Sequence, residues 1–157
     1  MLFRSYNTLK NLNIPINYTG VDTCSYLIDL NRQNGIKMID SDIRQIPVSD
    51  NSYDIVFSRH TFEHQPNFDI ILNELIRIAS KEMCHIFFIK PSSKQVIDYN
   101  QKTNLYHNIY SKSLIEYQLQ QNKKVKNWSW IDINEKECFL CTFIYRIIIL
   151  LFSIIVK

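Results

Sequence analysis

Polar and acidic residues stand where the apolar stretches of this 157-residue chain end. Asp22 and Thr23 follow one stretch, residues 40–43 a second, residues 58–60 a third and Lys90 a fourth. Ligands of open α/β sheets bind beyond the carboxyl ends of the strands, so we expect these positions to line a binding site. A carboxylate such as Asp22 suits a diol because it accepts hydrogen bonds from two hydroxyls, although Asp is equally typical of a helix N-cap.

Histidine titrates near neutral pH, so His60, His64 and His107 are the candidate general bases. Two of them also belong to the pattern H-x-x-E-H, which zinc hydrolases place on one helix face. Pro66 follows closely and leaves barely one turn of helix. We therefore favour a turn that lines a cleft, and a zinc hydrolase is the third and weakest functional hypothesis.

The pair Cys138-x-x-Cys141 is a second possible metal or redox motif. It has no second pair at zinc-ribbon spacing, and it lies in a strand-like run where its two side chains point to opposite faces. We interpret the two cysteines as small core residues and expect no metal site in the chain.

The composition is that of a globular domain: 46% of the residues are apolar, 21% are charged and the net charge is +3. Such values exclude wholesale disorder and give no indication of nucleic-acid binding. The two glycines, Gly20 and Gly35, are too far apart for a G-x-G-x-x-G motif or a P-loop. The opening residues lack the apolar core of a signal peptide, so we expect a cytoplasmic protein with free thiols.

Strands and helices alternate along the sequence, which predicts an α/β domain with a mostly parallel sheet. Helical spacing of apolar residues predicts helices at 2–12, 24–34, 68–80 and 113–122, the last with a capping box at Ser113 and Glu116. Strands are predicted at 17–22, 37–40, 53–57 and 85–90, and a closing antiparallel hairpin at 125–131 and 138–145.

The order of these motifs resembles the class I S-adenosylmethionine-dependent methyltransferases, specifically the type 11 domains. YTGVD at 18–22, SDIRQIPVSDNSYDIVFSRHTFEH at 41–64 and NELIRIAS at 73–80 carry the resemblance, which runs from about residue 18 to 143. It implies a Rossmann-like three-layer sandwich with a C-terminal antiparallel hairpin, and S-adenosyl-L-methionine as the cofactor.

The resemblance also implies roles for individual residues. Asp22, with Thr23 beside it, would bind the ribose hydroxyls, Asp42 would accept from the adenine amino group, and the Ile43 backbone N–H would reach the adenine ring. Ser58 and Arg59 would lie under the methionine portion, near the transferred methyl group. Tyr99, Tyr106, His107 and Tyr110 lie in a connection that often forms a substrate lid in this family.

The chain departs from the family pattern in two places. The glycine-rich first strand should precede the helix at 2–12 and is absent, so the domain is expected to be N-terminally truncated, either a fragment or a decayed copy. A Pro-Gly-Gly turn is replaced by SKEMC at 80–84. The second functional hypothesis is therefore a non-catalytic remnant or interaction module. The methyl acceptor, a small molecule or another group, is not identified by the sequence.

Two structural expectations follow from these features. Without a central strand, 17–22 should pair directly with 53–57, or this edge should be loose. Residues 1–146 form the domain, and 147–157 form an appended apolar tail that packs on a sheet edge or makes a weak membrane or partner contact. The apolar run 147–156 is too short to span a membrane as a helix.

Overall fold

The computed structural model of the chain describes residues 6, 10–13, 15–87, 89–133 and 149–156. Its contacts divide the chain into two compact units, residues 1–47 and residues 48–157, and each is described by itself. The predicted helix at 2–12 lies largely outside the described residues, as do Cys138, Cys141 and the predicted strand at 138–145.

The first unit contains one β-α-β repeat. Strand β1 (Thr19–Asp22), helix α1 (Ser25–Gln33) and strand β2 (Lys37–Asp40) agree closely with the predicted elements. The two strands pair in parallel, with Asp22 opposite Asp40. Gly35 ends the helix at a φ of 77°, a conformation that other residues rarely adopt. A small core of Ile28, Ile36 and Met38 holds the helix on the strands.

The second unit is built on a four-stranded sheet in the order β3-β4-β8-β7. Its elements, in chain order, are β3 (Tyr53–Arg59), a 3-10 turn (Phe62–His64), α2 (Phe68–Ile78), β4 (Ala79–Phe87), β5 (Tyr99–Asn100), β6 (Leu105–Tyr106), α3 (Lys112–Gln121), β7 (Val125–Ile133) and β8 (Ile149–Val156). β3 and β4 are parallel, whereas β8 is antiparallel to both of its neighbours. Helix α2 packs through an apolar face that includes Ile71, Leu72 and Leu75.

The apolar C-terminal segment is part of the sheet, so the prediction of an appended tail is wrong for residues 149–156. β8 lies between β4 and β7 and pairs with both along its length. β7 and β8 are thus antiparallel neighbours, whereas the predicted second strand of the hairpin, 138–145, lies outside the described residues. An uncharged run rich in β-branched residues is typical of such an inner strand. The main support for a membrane-associated tail disappears with this pairing.

The expectation that 17–22 pairs with 53–57, or that this edge is loose, stays a prediction, because the two strands belong to different units. Two further expectations need correction. β4 begins at Ala79, directly after α2, and includes the predicted loop 80–84. Helix α3 follows Ser111 as its N-cap, with no capping hydrogen bond from the side chain, so the predicted capping box at Ser113 is not used.

Within the described ranges, every helix is too short or too polar to cross a membrane.

Candidate active site

Asp22 stands at the carboxyl end of β1, as predicted, but the N-cap of α1 is Cys24 rather than Asp22. Its Oδ1 accepts the Cys24 backbone N–H at 2.9 Å and so supports the start of α1. The Asp22 carbonyl accepts the Ser41 N–H at 3.0 Å, which joins the ends of the two parallel strands. A carboxylate has about four acceptor positions, so the bond from Cys24 leaves room for hydroxyl donors. Thr23, the next residue, is exposed.

Asp42 and Ile43 follow β2, so they lie at the same carboxyl end of the first unit's sheet as Asp22. The Asp42 carboxylate accepts from the Arg44 backbone N–H at 2.8 Å and from the Arg44 guanidinium through Nε at 2.9 Å and Nη2. These hydrogen bonds with Arg44 lower the pKa of Asp42. The sequence analysis missed Arg44 as a partner, although its position two residues after Asp42 permits this local contact.

In the second unit, β3 ends in a sharp turn at the predicted positions. Ser58 and Arg59 are the last residues of the strand, two residues beyond its predicted end. His60 follows with a φ of 53°, which is uncommon for a residue with a side chain. Its backbone N–H donates to the Ile86 carbonyl at 2.9 Å and ties the turn to β4.

The Ser58 hydroxyl is turned towards a buried histidine that the sequence analysis did not single out. Ser58 and His85 are register partners on the parallel strands β3 and β4, and Ser58 Oγ lies 2.7 Å from His85 Nδ1. His85 Nε2 in turn lies 3.9 Å from Glu63 Oε2. The one sequence signal for this cluster is a histidine inside the apolar run of β4, but the register that pairs it with Ser58 is not readable from the sequence.

Two of the predicted bases, His64 and His107, are in contact. Their rings are 5.5 Å apart in an edge-to-face arrangement, and His64 Nδ1 lies 2.7 Å from the Tyr106 carbonyl oxygen. Because a carbonyl only accepts, His64 Nδ1 carries the proton of this bond. In the neutral ring, Nε2 then holds the lone pair that a general base needs.

His60 is chemically different from His64. Burial, together with the positive charge of Arg59 and the nearby His64, lowers the pKa of His60 to about 4. The ring is therefore neutral at pH 7 and weakly basic. The helix at this point is only the three-residue turn Phe62–His64, so His60 and His64 do not share the helix face that an H-x-x-E-H zinc site requires. The described residues contain no group of three or more metal-ligating side chains.

The predicted site residues thus form two groups, one at the carboxyl ends of β1 and β2 and one around the end of β3. Of the predicted lid residues, Tyr99 and Tyr106 pair across the short hairpin of β5 and β6. Tyr110 is 1% exposed and belongs to the core instead. Asn108, which is fully buried, holds this connection by donating to the Gln65 carbonyl at 2.7 Å and accepting the Asp98 N–H at 3.0 Å.

Comparison with solved structures places this fold among S-adenosylmethionine-dependent methyltransferases. A methyltransferase of this kind from Listeria monocytogenes is 11% identical with a TM-score of 0.67, covering 97% of this chain and 85% of that one. A 1,6-didemethyltoxoflavin-N1-methyltransferase from Burkholderia thailandensis, solved with S-adenosylhomocysteine, is 10% identical with a TM-score of 0.68, covering 99% and 68%. A third, from Methanosarcina mazei, is 11% identical with a TM-score of 0.61, covering 88% and 81%.

A search among curated protein sequences finds no match. The family model described as a methyltransferase domain, type 11, matches residues 4–87. That match covers more than half of the chain and includes Asp22, Asp42 and the end of β3. The chain therefore belongs to the S-adenosylmethionine-dependent methyltransferase domain family.

Proposed function

We propose that this chain binds S-adenosylmethionine at the carboxyl ends of β1 and β2 and transfers its methyl group to an acceptor nucleophile. The observation that carries the proposal is the pair of carboxylates, Asp22 and Asp42, that follow two parallel strands inside the segment matched by the family. Asp22 fits a ribose because, within the described residues, its Oδ1 accepts only the Cys24 N–H and the carboxylate retains acceptor positions for two hydroxyls.

Asp42 fits the adenine amino group for a similar reason. Arg44 uses three of the carboxylate's acceptor positions and holds the side chain in one orientation, so one position remains for an amino donor. The backbone N–H of Ile43 would complete the contact with the ring. The family resemblance assigns Ser58 and Arg59, at the end of β3, to the methionine portion, and we keep this assignment as part of the proposal.

The bound sulfonium supplies an electrophilic methyl group, so the protein mainly has to align the acceptor with it. Where the acceptor holds a proton, we assign its removal to His64. The Nδ1–H bond to the Tyr106 carbonyl orients this ring and leaves Nε2 as the base, with His107 beside it. His60 is the weaker candidate because its pKa is about 4.

The binding proposal is tested by isothermal titration of the chain with S-adenosylhomocysteine. The variant Asp22→Asn keeps an oxygen for the Cys24 N–H but loses the charge, so we expect at least about tenfold weaker binding, as the loss of a charged hydrogen bond implies. The matched control is Asp29→Asn, which removes an exposed charge on α1. An absence of binding by the unaltered chain, or equal affinity of the two variants, would refute the proposal.

The base is tested with methyl-labelled S-adenosylmethionine and a panel of phenols, amines and thiols. We expect His64→Gln to slow transfer to a protonated acceptor by about a hundredfold or more. His60→Asn, which suits the positive φ of that position, should have a smaller effect. A larger loss with His60→Asn would contradict the assignment.

We further propose a cytoplasmic location. The support is that Cys24 and Cys84 are both free thiols, as expected in a reducing compartment.

A further inference from the structure

The buried imidazole of His85 touches both sides of the turn that follows β3. Before the turn, Ser58 Oγ lies 2.7 Å from His85 Nδ1. After the turn, the ring of Phe62 stacks on the imidazole with centroids 3.9 Å apart and planes inclined by 11°. One fully buried side chain of β4 is thus in contact with two residues that bracket Arg59 and His60.

Other side chains fix the imidazole in this position. Phe87 packs edge-to-face on His85 with the ring centroids 4.4 Å apart, and Glu63 Oε2 lies 3.9 Å from His85 Nε2. A proton on Nε2 faces a carboxylate favourably, whereas a lone pair there would be repelled. Nδ1 therefore accepts the proton of the Ser58 hydroxyl, and this side-chain bond joins β3 to β4 beside the backbone bond from His60 to Ile86.

We propose that His85 is a positioning residue, which holds the turn after β3 in the shape that cofactor binding requires through its hydrogen bond with Ser58. The effect of His85 on cofactor binding rests on the proposed function, because the turn carries the residues assigned to the methionine portion. The backbone of His60 has a positive φ, and such a conformation persists only where neighbouring contacts hold it. The Ser58–His85 bond lies two residues before that position.

Two substitutions of His85 separate its hydrogen bond from its packing. His85→Phe keeps an aromatic ring between Phe62 and Phe87 but removes the acceptor. His85→Asn keeps an amide oxygen near the position of Nδ1 but removes the ring. Ser58→Ala removes the same bond from the other strand, and Met83→Leu is a matched control at another fully buried site of β4.

Two measurements are made on each variant: hydrogen exchange of the His60 amide without ligand, and titration with S-adenosylhomocysteine. We expect His85→Phe and Ser58→Ala to exchange about 3- to 10-fold faster and to bind more weakly by a similar factor, as the loss of one hydrogen bond implies. The double variant should be no worse than either single one. His85→Asn should stay within about twofold of the unaltered chain in both measurements although its melting temperature falls.

A purely structural role predicts a different pattern, in which affinity follows stability and His85→Asn is the weaker binder. That result, or unchanged His60 exchange in His85→Phe, would overturn the proposal. Faster exchange with unchanged affinity would overturn the link to the cofactor. If the unaltered chain does not bind S-adenosylhomocysteine, the proposed function fails, while the ligand-free exchange still decides whether His85 holds the turn.

Discussion

Arg44 and Asp42 form a charged pair at the position assigned to adenine. Because the hydrogen bonds from Arg44 lower the pKa of Asp42, Arg44→Ala should raise that pKa towards its ordinary value of 3.8. Carboxyl-carbon NMR over a pH titration measures the change. The control is Arg32→Ala, whose partner is Asp29 at 3.8 Å, and it should leave Asp42 unaltered. An unchanged Asp42 titration in Arg44→Ala would show that Arg44 does not control this carboxylate.

At the same scale, His85 should make the stability of the protein depend on pH. Burial, and to a lesser extent the nearby His60, lowers the pKa of His85 from 6.5 to about 3. Between pH 6.5 and about pH 3, His85 binds a proton in the unfolded chain but not in the folded one. The free energy of unfolding therefore falls as the pH drops below about 6.5. The expected slope from His85 is up to about 1.4 kcal/mol per pH unit.

Urea denaturation at pH 7 and pH 5 tests this slope, since carboxylates of ordinary pKa remain largely ionised at both values. The groups around His85 include Glu63, whose carboxylate lies 3.9 Å away, and His60, whose own lowered pKa acts in the same direction. His85→Phe should therefore reduce the difference between the two pH values without abolishing it. An equal difference in both proteins would contradict the assignment to His85.

At the scale of elements, one lysine explains how α2 can turn directly into β4 without a glycine. Lys124 Nζ lies 2.7 Å from the Ile76 carbonyl oxygen, 2.8 Å from that of Arg77 and 2.5 Å from that of Ala79. A cation at these carbonyls satisfies acceptors that the helix end leaves unpaired and matches the helix dipole. Lys124 follows α3 in the sequence but binds the end of a different helix, α2.

Lys124→Met should therefore lower the free energy of unfolding by about 1–3 kcal/mol, because it keeps the stem and removes the donor. The neighbouring Lys123 is exposed, so Lys123→Met should change stability by less than about 0.5 kcal/mol. Chemical denaturation of the two variants gives the comparison. Equal stability of both would mean that the Lys124 contacts contribute nothing net.

The inner position of β8 gives a second prediction for an element. The backbone of Ser153 is paired with Cys84 on one side and with Ser129 on the other. Ser153→Pro removes a backbone donor from an inner strand, so we expect the variant to lose cooperative unfolding or to aggregate. Ser153→Thr suits a strand and should fold normally. A folded Ser153→Pro variant of normal stability would contradict the strand order.

The sequence predicts the local elements of this chain better than their pairing. α1, β2 and β7 start and end close to the predicted residues because their apolar spacing and end signals agree, as with Gly35 after α1. The pairing of β7 with β8 was missed, since the apolar run 149–156 was interpreted as part of a tail. The bond between Ser58 and His85 was missed because these two residues lie 27 positions apart in sequence and meet only through the register of β3 and β4.

For the whole molecule, the family and the fold both indicate the cofactor, but neither identifies the acceptor. The family match ends at residue 87, and the connection that carries His107 lies beyond it. The acids at the ends of β1 and β2 lie within the match, and we propose that they bind parts of the cofactor that every acceptor leaves unchanged. Binding of the cofactor is therefore the central claim, and it is testable without knowing the acceptor.

The most direct test is a titration of the isotopically labelled 157-residue chain with S-adenosylhomocysteine, followed by amide NMR. The account predicts saturable shifts at the amides around Asp22, Ile43 and residues 58–60, and little change in β7. An absence of saturable shifts at millimolar ligand, or shifts confined to residues far from these strand ends, would contradict it.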